Sequence, residues 1–216
     1  MIQQRVFVDA DVLYSACLRN WLFQIRVSTG SMFLLYTSED VIAEVLSKLR
    51  DNNPRWSGGK IARIRAAIVE VFDEIVEDFD ANEPYDGIDP NDFHVHAATV
   101  AAKADMLLTC DKALLHQANA DQLTYEAFHP DDFFLLVNDS APLNVRDATL
   151  QQLRYYIAKN GVKATRLIDS LVGAGCSAFA DVVRVHLMDL AGGLDRSERR
   201  KLRRFERLTV EVAHRK

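Results

Sequence analysis

Cysteine is scarce in this 216-residue chain, and the three present, Cys17, Cys110 and Cys176, lie far apart with no metal-ligand spacing. Their odd number leaves no complete disulfide set, which excludes a stapled secreted scaffold and fits reduced thiols in a cytoplasmic protein. No apolar run approaches the roughly 20 residues of a membrane span, so no membrane partner is expected. The first residues show no basic-then-apolar pattern, so no secretory signal is expected. Basic charge is also in short supply: 26 Lys and Arg face 31 Asp and Glu, a net charge of −5. That argues against a simple polybasic nucleic-acid binder and leaves only a local basic face. The chain lacks a phosphate-binding glycine loop, a nucleophile elbow, a CxxC pair, internal repeats and low-complexity segments.

What is there is an apolar fraction of 49%, enough for a sizeable core in one domain with a smaller appendage. Val6-Phe7-Val8 reads as a strand buried on both faces, and it ends in Asp9-Ala10-Asp11. From Asp11 a helical pattern runs through Val12, Leu13, Ala16, Leu18, Leu22 and Ile25. Asp11 reads equally as the N-cap of that helix or as part of a site, whereas Asp9 has no such simple structural role. Phe33-Leu34-Leu35-Tyr36 reads as a second strand. Thr37 or Ser38 caps a helix with Val41, Ile42, Val45 and Leu49, and residues 61–75 read as one long amphipathic helix. A helix over residues 90–103, a strand at Met106-Leu107-Leu108-Thr109 and an edge strand at Leu123-Thr124-Tyr125 follow. Strands alternating with helices predict an α/β fold: three layers, α/β/α, around a mainly parallel sheet. No strand appears beyond Asp131-Asp132. The expected division is an α/β domain over residues 1–137 and an all-helical extension over 138–216. Within the extension, residues 197–216 carry a basic run that includes Arg199, Arg203 and Arg207.

The chemistry-bearing residues are acids. Asp9 and Asp111 each leave the end of a buried strand, and parallel strands would bring both out at the sheet edge where ligands bind. Asp111 could also cap the helix that follows it. Asp92 follows Asp89-Pro90-Asn91 near a helix start, where an acid favours the helix dipole and can complete a capping box. Glu44 lies off the apolar stripe of its helix, so periodicity puts it at the surface. His94 and His96 are not spaced as a zinc pair and read as packing or surface histidines. These acids have no basic partner nearby in sequence. Acids that gather persist only if something cationic compensates them, and oxygen donors without Cys or His select Mg²⁺ or Mn²⁺. Such a site suits hydrolysis of phosphoryl esters.

Four segments together resemble the PIN domain, and within it the VapC-type toxins of bacterial toxin–antitoxin pairs. They are Val6-Phe7-Val8-Asp9-Ala10-Asp11-Val12-Leu13, Ile42-Ala43-Glu44-Val45, Asp89-Pro90-Asn91-Asp92-Phe93-His94-Val95 and Ala104-Asp105-Met106-Leu107-Leu108-Thr109-Cys110-Asp111. The likeness covers roughly residues 1–137. It implies a ribonuclease whose acidic quartet, Asp9, Glu44, Asp92 and Asp111, holds Mg²⁺ or Mn²⁺. Thr109 would lend a hydroxyl, and Asp11, standing where Asn is frequent, would add charge that favours a second metal. The implied partners are an RNA substrate and a cognate antitoxin, with a homodimer allowed, and Arg199, Arg203 and Arg207 are candidates for RNA-backbone contact. Two other readings stay open. Asp9-Ala10-Asp11-Val12 after a strand also matches the opening of haloacid-dehalogenase-type phosphatases, for which Asp131-Asp132 would have to supply the downstream acidic pair. A PIN-like fold can also serve as a non-catalytic RNA- or protein-binding scaffold.

Overall fold

A computed structural model describes residues 3–30, 32–80, 83–85, 92–120, 123–160 and 166–193. The basic run with Arg199, Arg203 and Arg207 lies outside these residues, as do Asp89, Pro90 and Asn91. The strands are β1 (Gln4–Val8), β2 (Phe33–Ser38), β3 (Glu74–Val76), β4 (Met106–Leu108) and β5 (Glu126–Phe128). They form one sheet in the order β3-β2-β1-β4-β5, and all four neighbouring pairs are parallel. Successive residues of β1 point to opposite faces, yet Val6, Phe7 and Val8 are all fully buried, so both faces of the sheet are covered. That is the three-layer α/β arrangement the alternating pattern predicts.

The first helical stretch is two helices, α1 (Ala10–Tyr14) and α2 (Ala16–Thr29), not one. Ser15 separates them: its backbone is extended, and its hydroxyl accepts a 3.4 Å hydrogen bond from Leu18 N as the N-cap of α2. Helix α3 (Glu39–Asn52) is capped by Ser38, which accepts from Val41 N at 3.2 Å. The neighbouring Thr37 hydroxyl donates to Val8 O at 3.1 Å and ties β2 to the end of β1.

Helix α4 (Gly58–Val71) stops short of the length its periodicity predicts. Phe72 is extended, the Asp73 carboxylate accepts from Leu35 N at 2.8 Å, and Asp73 N donates to Leu35 O at 2.9 Å. Residues 74–76 are thereby captured as the edge strand β3, because sheet pairing outweighs a helical pattern that continues through Ile75. The other edge strand is displaced in the opposite sense. Residues 126–128 pair with β4 in place of Leu123-Thr124-Tyr125, and Tyr125 is buried, its hydroxyl 2.8 Å from His96 Nδ1.

Between these strands lie α5 (Phe93–Ala101) and α6 (Lys112–Ala120); α7 (Pro130–Ser140), α8 (Pro142–Asn160), α9 (Arg166–Gly173) and α10 (Ser177–Gly193) follow β5. The chain divides into two compact units. One holds residues up to Arg19 and Gly30–Phe133; the other holds Asn20–Thr29 with the chain from Phe134 onward. Helix α2 thus lends most of its length to the helical unit. Trp21 stands edge-on to Phe179 with centroids 5.1 Å apart, and Phe134 meets the same ring at 4.9 Å. Gln152 Nε2 donates to Asn20 O at 2.8 Å and Asn144 Nδ2 to Ser28 O at 2.5 Å. Among the described residues, no helix is long and apolar enough to cross a membrane.

Candidate active site

The sheet order places a topological switch point between β1 and β4: the chain leaves β1 toward β2 on one side and later returns to β4 on the other. Val8 pairs with Leu108, so the residues that follow them, Asp9 and Thr109, emerge side by side. Asp9 N donates to Leu108 O at 3.0 Å, and the Thr109 hydroxyl donates to Asp9 Oδ2 at 2.7 Å. Asp9 Oδ1 accepts from Ala10 N at 2.5 Å, which makes Asp9 the N-cap of α1. The capping role expected of Asp11 belongs to Asp9.

Asp11 turns instead toward β4. Its Oδ2 accepts from Cys110 N at 2.9 Å, while its Oδ1 is buried without a hydrogen-bond partner among the described residues. Asp111 starts α6: its Oδ1 accepts from Ala113 N at 2.6 Å and Leu114 N at 3.1 Å. Its own N–H donates to the Thr109 hydroxyl oxygen at 3.0 Å, so one hydroxyl ties Asp9 to Asp111.

Glu44 reaches the same edge from α3, where its side chain is 32% exposed, deeper than a surface position implies. Its Oε1 is 2.5 Å from Lys48 Nζ and its Oε2 is 3.5 Å from His94 Nε2. Glu44 therefore does have a basic partner close in sequence, Lys48 one turn beyond it, while His94 reaches it from α5, fifty residues on. The Glu-to-Lys spacing of four on a helix is a recognised pair signal. Asp92 occupies the N-cap position of α5 in helical backbone (φ −86°, ψ −9°) and makes no side-chain capping hydrogen bond. Capping therefore does not account for Asp92. His96 is a packing histidine, stacked on Tyr85 with centroids 4.8 Å apart.

Charge crowding and burial act in the same sense. Burial raises the Asp9 carboxyl above the ordinary range, against the Thr109 and Ala10 hydrogen bonds, and Glu44 raises it further while His94 lowers it. Burial, then the neighbouring Asp9, pushes Asp11 up to about 7 against the Cys110 and Val12 N–H groups, and Asp111 adds to the rise. Burial and then Asp11 and Asp9 push the Cys110 thiol up to about 12, so it is neutral. Lys48 is raised chiefly by its hydrogen bond to Glu44, with further contributions from Asp9 and Asp11.

Among the described residues, no three of the His, Cys, Asp and Glu side chains are drawn close enough to form a ready metal cage. Glu44 is engaged by Lys48, and Asp111 by the N–H groups of its own helix. The donor set still fits a hard divalent cation: it is all carboxylate, burial and neighbouring acids make the charges of Asp9 and Asp11 costly without one, and the buried Asp11 Oδ1 has no hydrogen-bond partner among the described residues. The phosphatase reading loses its support here, because Asp131 and Asp132 lie in the first turn of α7 and do not end a strand.

No curated protein and no solved structure matches the chain. The family model described as PIN domain matches residues 5–113, about half the chain, from β1 to the start of α6. That span contains every acid gathered at the switch point, and the chain belongs to the PIN domain family, whose members are generally metal-dependent nucleases.

Proposed function

We propose that the protein is a Mg²⁺- or Mn²⁺-dependent endoribonuclease of the VapC type, the toxin of a toxin–antitoxin pair, acting in the cytoplasm on a structured RNA such as tRNA or rRNA. The observation that carries this reading is the meeting of Asp9 and Thr109 at the switch point beside Asp11, whose buried Oδ1 has no partner among the described residues. Asp9, Glu44, Asp92 and Asp111 are the proposed ligands, with Asp11 and Thr109 as accessory groups. These residues would hold a divalent ion, which would supply activation of water and compensation of the phosphate charge. The protein's own residues do the positioning. The Thr109 hydroxyl fixes the Asp9 carboxylate on one side and Ala10 N fixes it on the other. His94 and Lys48 hold Glu44 toward the same edge.

In this reading residues 1–137 are the nuclease domain and 138–216 a helical extension, with Arg199, Arg203 and Arg207 contacting the RNA backbone. A cognate antitoxin silences the enzyme, and a homodimer is compatible with the site. The test is direct. Purified protein should cut total cellular RNA with Mg²⁺ or Mn²⁺ and not with chelator, and its expression should arrest growth unless a small DNA-binding protein from the adjacent gene is co-expressed. RNA left whole with both metals, and no growth defect, would leave a binding scaffold.

Thr109→Val is expected to lower cleavage by about 10- to 100-fold, the usual cost of losing a partner that orients a metal ligand. Thr109→Ser should restore most of it, since only the hydroxyl is required. Equal activity in the wild type and the valine variant would remove Thr109 from the site.

A further inference from the structure

The basic charge described by the structure is not spread evenly. Between residues 48 and 65 stand Lys48, Arg50, Arg55, Lys60, Arg63 and Arg65 against the single acid Asp51, a net +5 in a chain whose total is −5. These residues occupy the end of α3, the loop after it and the first half of α4. Lys48 is neutralised by Glu44 at 2.5 Å and Arg65 by Glu39 at 2.9 Å. Among the described residues, Arg55, Lys60 and Arg63 have no carboxylate partner.

A solvated helix face would ordinarily mix its signs and place acids in its first turn. Here the first turn of α4 holds no acid and carries Lys60, where the helix dipole disfavours a cation. The cluster also includes an aromatic ring. Trp56 is half-buried, its carbonyl accepts from Arg50 Nη1 at 2.7 Å, and Lys60 Nζ lies 3.1 Å from its ring centroid. Cations with no carboxylate partner among the described residues, beside a half-buried ring with one face covered by Lys60 and the other left for a base, are the components of a single-stranded nucleic-acid surface. The patch begins on the helix that carries Glu44: Arg50 lies about 9 Å farther along its axis and about 120° round it, at 1.5 Å per residue and 3.6 residues per turn.

We infer that the α3–α4 corner, with Arg55, Lys60, Arg63 and Trp56, is an RNA-binding surface that grips the substrate's phosphates and stacks one base beside the acidic site. The polyanion's identity as RNA rests on the ribonuclease reading; the surface itself rests on charge and geometry. It is distinct from the basic run over residues 197–216.

The test uses the full chain in EDTA, with fluorescein-labelled oligo(U) and bulk tRNA as probes. Replacing Arg55, Lys60 and Arg63 together by Gln should weaken binding at least about tenfold at low salt and reduce the salt slope by about 2, at roughly 0.7 per lost phosphate contact on a single strand. Swapping each for the other basic residue should keep the slope. All three side chains are at the surface or half-buried, so the melting temperature should hold. RNA should also quench tryptophan fluorescence, and Trp56→Phe should abolish the quench, because the other tryptophan, Trp21, is only 1% exposed.

Unchanged affinity and slope in the triple variant would overturn the inference and leave the patch to an acidic protein partner. So would a wild type that binds neither probe. The two readings fail separately. Binding through this surface without cleavage in Mn²⁺ removes the ribonuclease, whereas cleavage by a triple variant of unaltered affinity removes only the surface.

Discussion

Asp9→Asn is expected to abolish metal-dependent cleavage, by at least about 100-fold, while raising the melting temperature of the metal-free protein. The opposite signs follow from the same placement. Asp9 is buried at the end of β1 with Glu44 and Asp11 in its field, so its charge is costly in the absence of a cation. Asparagine keeps the shape, remains a good N-cap for Ala10 N, and can accept or donate to a hydroxyl that rotates. The relief should be about 1–3 kcal/mol, or several degrees for a chain of this size. Asp9→Ala should show the reverse in stability, because it discards the cap and leaves the Thr109 hydroxyl proton without its acceptor, at about 1–2 kcal/mol. Calorimetry in EDTA distinguishes the two substitutions, and the Mn²⁺-induced shift should shrink for both. An Asp9→Asn protein that is no more stable than wild type without metal would mean that the site carries no charge strain.

The second large effect is on pH. Asp11 is pushed up to about 7 by burial and by Asp9, far above the ordinary value of 3.8. A carboxyl whose folded pKa is raised binds its proton more tightly folded than unfolded. Its favourable contribution is therefore complete below about pH 4 and is lost as pH rises through about 7. In EDTA the melting temperature should fall across that window, and Asp11→Asn should flatten the fall. Metal competes with the same proton, so the stabilisation by Mn²⁺ should grow over the same range and level off above about pH 7. A metal-free melting temperature that is flat from pH 4 to 7 would mean that Asp11 is ionised and paired throughout.

Both predictions depend on positions that were legible in the chain to different degrees. The run Val6-Phe7-Val8 ending in Asp9, and Met106-Leu107-Leu108 ending near Asp111, already fixed two central parallel strands with acids at one edge, because unbroken apolar runs of that length fit a strand buried on both faces. The parallel α/β class and the helical C-terminal part follow from the same local patterning. Other features were decided only by tertiary contact. Ile75 belongs to a helix by periodicity and to β3 in the fold, because Asp73 pairs with the backbone of Leu35 and commits the segment to the sheet edge. Asp9 displaces Asp11 as the cap, because pairing of β1 with β4 delivers Thr109 and Cys110 N to the two carboxylates separately. Glu44 is a surface residue on a helical wheel, yet the fold turns it toward Asp9, with Lys48 and His94 holding it there. A wheel reports which side of one helix is apolar. It cannot report what a neighbouring strand end places beside the rim of that side, and the proposed site lies on that rim.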